Sequence, residues 1–140
     1  MIESCTGGLI SSALTAIPGA SKILWGSLVV YSAESKQAFT GIDPGIIQSY
    51  GQVSAETIEG LVRGALERYP SRYIGAVSGI AGPEGGTDDK PVGLVYLGIA
   101  CPKTAGMFIQ IKKHIFKGNR QDIQVASAHA LVEMLMDQMS

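Results

Sequence analysis

A chain of 140 residues with 46% hydrophobic side chains has the length of one domain, 1–140, around one core. Its formal charge of -1, with no Lys/Arg run longer than two, argues against a nucleic-acid-binding surface. No apolar run reaches the ~18 residues of a membrane span. No signal peptide is visible, and Cys5 and Cys101 form neither a disulfide framework nor a metal spacing, so a soluble, cytoplasmic, reduced protein is expected.

Glu3-Ser4-Cys5-Thr6-Gly7-Gly8 reads as a turn leading into a helix with Leu9, Ile10, Ala13, Leu14 and Ile17 on one face, capped by Ser4 or Thr6. Pro18-Gly19 breaks the pattern, and Ile23 to Tyr31 predicts a buried strand. Ser32 to Phe39 predicts a short helix closed by Gly41. Asp43 caps a further short helical piece with Pro44 in its first turn, ended by Gly51. The clearest helix starts at the cap Ser54, carries Ile58, Leu61, Val62, Ala65, Leu66 and Tyr69 as one stripe, and stops at Pro70. Arg72 to Ser78 is a strand, with Tyr73-Ile74-Gly75-Ala76-Val77 at its centre, that runs into the glycine-rich loop Gly79 to Thr87. Val92–Ala100 and Met107–Phe116 are strands whose short connector implies an antiparallel hairpin. Asn119 caps a last helix with Ile123, Ala126, Ala130, Leu131, Met134 and Leu135 on its apolar face. This order predicts an α/β fold, a three-layer α/β/α sandwich on a mixed, mostly parallel sheet. Sites in such sheets gather at the carboxyl ends of parallel strands, where Tyr31 and Ser78 fall.

Four pieces can carry chemistry at that edge. The Ser4 turn offers a hydroxyl nucleophile, and the amides of Cys5, Thr6 and Gly7 at the start of the helix can hold a developing oxyanion. Tyr31 ends a strand and Lys36 lies a little over one helical turn further on, so both can face one crevice. A desolvated lysine there has a lowered pKa, and its neutral amine can act as base toward a serine. The loop residues Gly79, Ala81, Gly82, Gly85 and Gly86 can cradle a phosphate or carboxylate, with Ser78 and Thr87 as hydroxyl donors and Lys90 as countercharge. The loop lacks the Lys-Ser/Thr ending of a P-loop and has no Gly-x-Gly-x-x-Gly. Arg120 at a helix amino terminus runs against the macrodipole, a cost that a bound anion would offset. His114 and His129 have no partner at a ligand-like spacing. Each feature has an everyday alternative: a capping serine, a core tyrosine, a solvated lysine or arginine.

Taken together, Glu3-Ser4-Cys5-Thr6-Gly7-Gly8, Tyr31-Ser32-Ala33-Glu34-Ser35-Lys36, Gly51-Gln52-Val53-Ser54, Ser78 to Thr87, Lys90-Pro91-Val92-Gly93 and Gly118-Asn119-Arg120 resemble the carboxy-terminal domain of the competence/damage-inducible protein CinA. The resemblance covers essentially the whole chain in order. It implies a nicotinamide mononucleotide deamidase that uses no metal and no cofactor, with Ser4 as nucleophile, Lys36 as base and Tyr31 as third catalytic residue. It also implies the glycine loop and Arg120 as ribose-phosphate and pyridine contacts, and ranks Cys5 behind Ser4 as nucleophile. A nucleotide-binding module without turnover is the competing expectation, and the DNA-related role in the family's name finds no basic surface to support it. Family members usually carry a helix and a strand before this serine, so the resemblance predicts a missing strand and an unpaired sheet edge beside Ser4. Such an edge favours a homo-oligomer.

Overall fold

The computed structural model describes every residue except Pro70, so the predicted helix stop at Pro70 lies outside the described residues. Among those described, β1 (Ile2–Glu3), β2 (Leu28–Val29), β3 (Ile74–Gly79), β4 (Leu94–Pro102) and β5 (Met107–Ile115) make one sheet, ordered β2-β1-β3-β4-β5. β1 runs parallel to both β2 and β3, and the β3–β4 and β4–β5 pairs are antiparallel, so the sheet is mixed. Helices α2 (Ala33–Thr40), α3 (Pro44–Tyr50) and α4 (Ala55–Arg68) cover one face, while α1 (Leu9–Thr15) and α5 (Arg120–Met139) cover the other.

The two faces have separate cores because side chains alternate along a strand. Ala76 joins Ile58, Leu61, Val62 and Ala65 of α4, and its neighbour Val77 joins Ile10 of α1 with Ile123 and Leu131 of α5. The predicted caps Asp43 and Ser54 hold, and α2 adds a cap that was not predicted. Ser32 and Ser35 form a reciprocal capping box on α2, Asp43 accepts from the Gly45 amide, and Ser54 accepts from the Thr57 amide. Gly41, at φ +73°, closes α2 in the left-handed conformation that glycine adopts at least cost.

Two expectations fail at the amino-terminal side. The predicted strand Ile23–Tyr31 shrinks to Leu28–Val29, and Ile23 and Trp25 are 71% and 62% exposed. Strand β2 pairs only with β1, which itself has two residues, so a longer strand has no ladder to join. The predicted unpaired edge beside Ser4 is also absent. Ile2 and Glu3 sit inside the sheet, paired to Leu28 and Val29 on one side and to Ala76 and Val77 on the other. The ladder continues past them, as the Ser4 amide donates to Val77 O at 3.2 Å.

Candidate active site

The first turn is organised by a residue that sequence reading passed over. Glu3 is fully buried and points to the α1 face. One carboxylate oxygen accepts from the Thr6 hydroxyl at 2.8 Å and from the Gly8 and Ile10 amides at 3.0 and 3.1 Å. The other accepts from the Ser11 amide at 2.8 Å and from the Ser11 hydroxyl. Burial pushes this carboxyl up, but the donors of Ser11, Thr6 and Ile10 outweigh it and hold the group below its usual range. The signal in the sequence was a carboxylate just ahead of a helix start.

Glu3 therefore corrects the capping expectation. Neither Ser4 nor Thr6 caps α1, whose N-cap is Gly8 in the left-handed region at φ +101°. Thr6 spends its hydroxyl on Glu3, and the amides that donate to the carboxylate are those of Gly8, Ile10 and Ser11, not the Cys5, Thr6 and Gly7 amides expected to hold an oxyanion. The Gly7 amide closes the turn onto Ser4 O at 3.0 Å. The Cys5 and Thr6 amides are left, with no backbone or side-chain oxygen accepting from them among the described residues.

Alternation along the chain then separates Ser4 from Cys5. Cys5 enters the core under α1 and α5, where burial, its largest influence, pushes the thiol up to about 11. A thiol so high is a poor source of thiolate near neutral pH. Ser4 turns to the α2 side, 7% exposed, with its hydroxyl 3.0 Å from Lys36 Nζ.

Lys36 is fully buried on α2. Its Nζ lies 2.9 Å from Val30 O, 3.3 Å from Tyr31 O and 3.0 Å from Gln52 Oε1, besides Ser4. Burial lowers its pKa from 10.5 to about 8, against a smaller opposing effect of Cys5. Three of the four neighbours are carbonyl oxygens, which only accept. A neutral amine has two N–H groups for them, and the Ser4 hydroxyl is the one neighbour able to donate to its lone pair.

Tyr31, implied above as a third catalytic residue, has its hydroxyl on Arg120 rather than on Ser4. Its ring is 59% exposed and its hydroxyl accepts from Arg120 Nη2 at 3.0 Å, while its main chain contacts Lys36. Arg120 also donates from Nη1 to Gly82 O at 2.6 Å, tying the start of α5 to the glycine loop. In that loop Ala81 and Gly82 are buried, Gly79 is half-buried, and Gly85, Gly86 and Thr87 are exposed. The amides of Ala81, Gly82, Gly85 and Gly86 find no protein acceptor among the described residues. Thr87 makes a local turn with Lys90 instead, accepting from its amide at 3.0 Å.

Ser78 and Lys90 are not free donors. Ser78 Oγ donates to Gln52 O at 2.9 Å, and Lys90 Nζ donates to Tyr50 O and Val53 O at 2.7 and 2.8 Å. His114 stacks on Phe116, and His129 sits beside Glu133 on α5. Among the described residues no three His, Cys, Asp or Glu side chains gather as metal ligands would. No described helix is long and apolar enough to cross a membrane.

Residues 1–139 match the family model of the CinA C-terminal domain. The chain is 44% identical over 133 residues to a CinA-like protein of Acidobacterium capsulatum, covering 95% of this chain and 31% of that protein. It is 46% identical over 123 residues to a CinA-like protein of Prochlorococcus marinus, covering 88% and 28%. The chain thus spans about a third of the length of these curated relatives. Among solved structures, the competence/damage inducible protein CihA from Agrobacterium tumefaciens superposes with a TM-score of 0.93 at 35% identity, covering 99% of this chain and 83% of that one. On its sequence and its fold, the chain belongs to the CinA C-terminal domain family.

Proposed function

We propose that this chain is a serine amidohydrolase that converts nicotinamide mononucleotide to nicotinate mononucleotide and ammonia. The observation that carries the reading is the 3.0 Å contact between Ser4 Oγ and the amine of a fully buried lysine whose pKa is drawn down to about 8. The substrate is the one that the family resemblance implies.

The chemistry follows from the hydrogen-bond directions. Ser4 Oγ attacks the carboxamide carbon as its proton passes to the Lys36 lone pair. The carbonyl oxygen becomes an oxyanion within reach of the Cys5 and Thr6 amides, the donors that Glu3 does not use. The resulting ammonium of Lys36 is stabilised by Val30 O and Gln52 Oε1 and gives its proton to the leaving nitrogen, so ammonia departs and an ester to Ser4 remains. Water then attacks the ester with Lys36 again as base, releasing the acid and restoring Ser4. The positive pyridinium withdraws electrons from the carboxamide and eases both attacks. Arg120 and the open loop amides suit the phosphate, with Tyr31 held beside them by Arg120.

Ammonia release from nicotinamide mononucleotide by this chain and by Ser4→Ala, without added metal, tests the proposal. Turnover lost in the variant is expected. Nucleotide binding without ammonia release by the wild-type chain would overturn it in favour of a binding module.

A further inference from the structure

Gln52 lies in the connector between α3 and α4 and is exposed, yet its carboxamide oxygen reaches the amine of the buried Lys36 at 3.0 Å. The connector has no regular structure, but it is held at every residue. Lys90 Nζ donates to Tyr50 O at 2.7 Å, Thr57 Oγ1 to Gly51 O at 2.6 Å, Ser78 Oγ to Gln52 O at 2.9 Å, and Lys90 again to Val53 O at 2.8 Å. Four consecutive carbonyls are thus fixed by side chains from α4, β3 and the segment after the glycine loop. Gly51 completes the fit: at φ +79°, a Cβ there would meet Lys90 Nζ at 3.2 Å. A loop with this many tertiary ties presents one side chain in one place.

We infer that Gln52 is a positioning residue for Lys36: its neutral carbonyl orients the amine so that the lone pair faces Ser4, and Ser78 and Lys90 hold it there. The inference rests on the serine–lysine reading above but not on the choice of substrate. The amine needs two fixed acceptors to aim its third position at Ser4. Val30 O supplies one from the end of β2, Tyr31 O is longer at 3.3 Å, and Gln52 supplies the other. The acceptor must also be uncharged. A carboxylate at the same distance would stabilise the ammonium and remove the base near neutral pH. The groups whose charge bears on this amine are few. Cys5 acts on it from the turn side; Glu3 and Arg120 lie close enough to influence Cys5.

The test uses the intact chain and two substitutions of similar shape at this exposed position, Gln52→Glu and Gln52→Leu. Two readouts need no substrate: the Lys36 Nζ titration by NMR, and the labelling rate of Ser4 by a fluorophosphonate. Gln52→Glu is expected to raise the Lys36 pKa by at least about one unit, the range for an opposite charge in contact. Its Ser4 labelling should slow ~10-fold near pH 7 and recover as pH rises. Gln52→Leu is expected to slow labelling at all pH values without raising the titration. On the pyridine amide, kcat should fall in both with KM little changed. A Lys36 titration in Gln52→Glu equal to wild type, or wild-type labelling in Gln52→Leu, would overturn the inference, as would an effect confined to KM. Labelling and titration as expected, with no amide hydrolysed by any form, would overturn the substrate and leave Gln52's role standing.

Discussion

Two buried charged side chains flank Ser4, Glu3 from the α1 side of the sheet and Lys36 from the α2 side. Both are 0% exposed, and their surroundings leave them in opposite conditions. Glu3 receives six N–H and O–H donors, counting a 3.5 Å contact from the Ser27 hydroxyl, so its charged form is favoured in spite of burial. Lys36 meets only neutral oxygens, and burial prevails, so its amine gives up a proton near pH 8. Burial alone does not decide protonation; the number and kind of partners does. One group is locked in its charge and holds the backbone of the turn. The other is poised between two states and can exchange a proton with the hydroxyl in front of it.

The contrast is tested most severely at the reacting pair. Ser4→Ala and Lys36→Met should each reduce ammonia release by at least about 10^3-fold, because each removes a partner in the same proton transfer. In thermal unfolding, Lys36→Met should raise Tm, since it replaces a buried amine by an apolar chain of similar length. Glu3→Gln should do the reverse. An amide NH2 placed at either oxygen faces donors it cannot accept from, and urea unfolding should show a loss of about 3 kcal/mol. A stabilising Glu3→Gln or a destabilising Lys36→Met would break the comparison.

The pH dependence separates the two residues again. Lys36 must be neutral to act, so turnover should rise with pH through about 8, read from kcat/KM. The unfolded chain holds the Lys36 proton up to about 10.5 and the folded chain only to about 8, so this residue makes stability increase with pH across that window. Glu3 has a folded pKa below its usual 4.5, so its contribution is complete above that value and is lost as pH falls through the folded pKa. Urea midpoints of wild type against Lys36→Met and Glu3→Gln would isolate the two slopes.

Smaller effects are expected further from the pair. Arg120→Ala should raise KM for the mononucleotide ~10-fold while leaving kcat within a few-fold, as expected for loss of a charge-assisted contact to phosphate. Tyr31→Phe should act in the same direction and more weakly, because its hydroxyl partners Arg120 rather than Ser4. A large loss of kcat in Tyr31→Phe would place the tyrosine hydroxyl in the proton path instead. Least affected should be the reaction of wild type with iodoacetamide at pH 7.5: Cys5, with its thiol near 11, should stay unlabelled in the folded chain, as mass spectrometry would show.

Much of this arrangement was legible from sequence. Helix α4 announced itself through Ile58, Leu61, Val62 and Ala65 at helical spacing, and all four are fully buried. The caps Asp43, Ser54 and Asn119 were readable because capping is local, a side chain bonding an amide two or three residues away. The spacing of Tyr31 and Lys36 and the Gly79–Thr87 loop were enough to propose a shared crevice and to carry the family resemblance. What sequence could not supply were contacts between distant segments. The length of β2 depended on a two-residue partner far away in the chain. Glu3 came to accept the first amides of α1, and Ser4 and Cys5 were sent to opposite faces, because β1 sits inside the sheet with a covered face on each side. Gln52 met Lys36 only because Ser78, Thr57 and Lys90 converge on one loop. Local bonding writes caps and periodicity into neighbouring residues, whereas burial and partner geometry, which set the state of Glu3 and Lys36, exist only once the layers have closed.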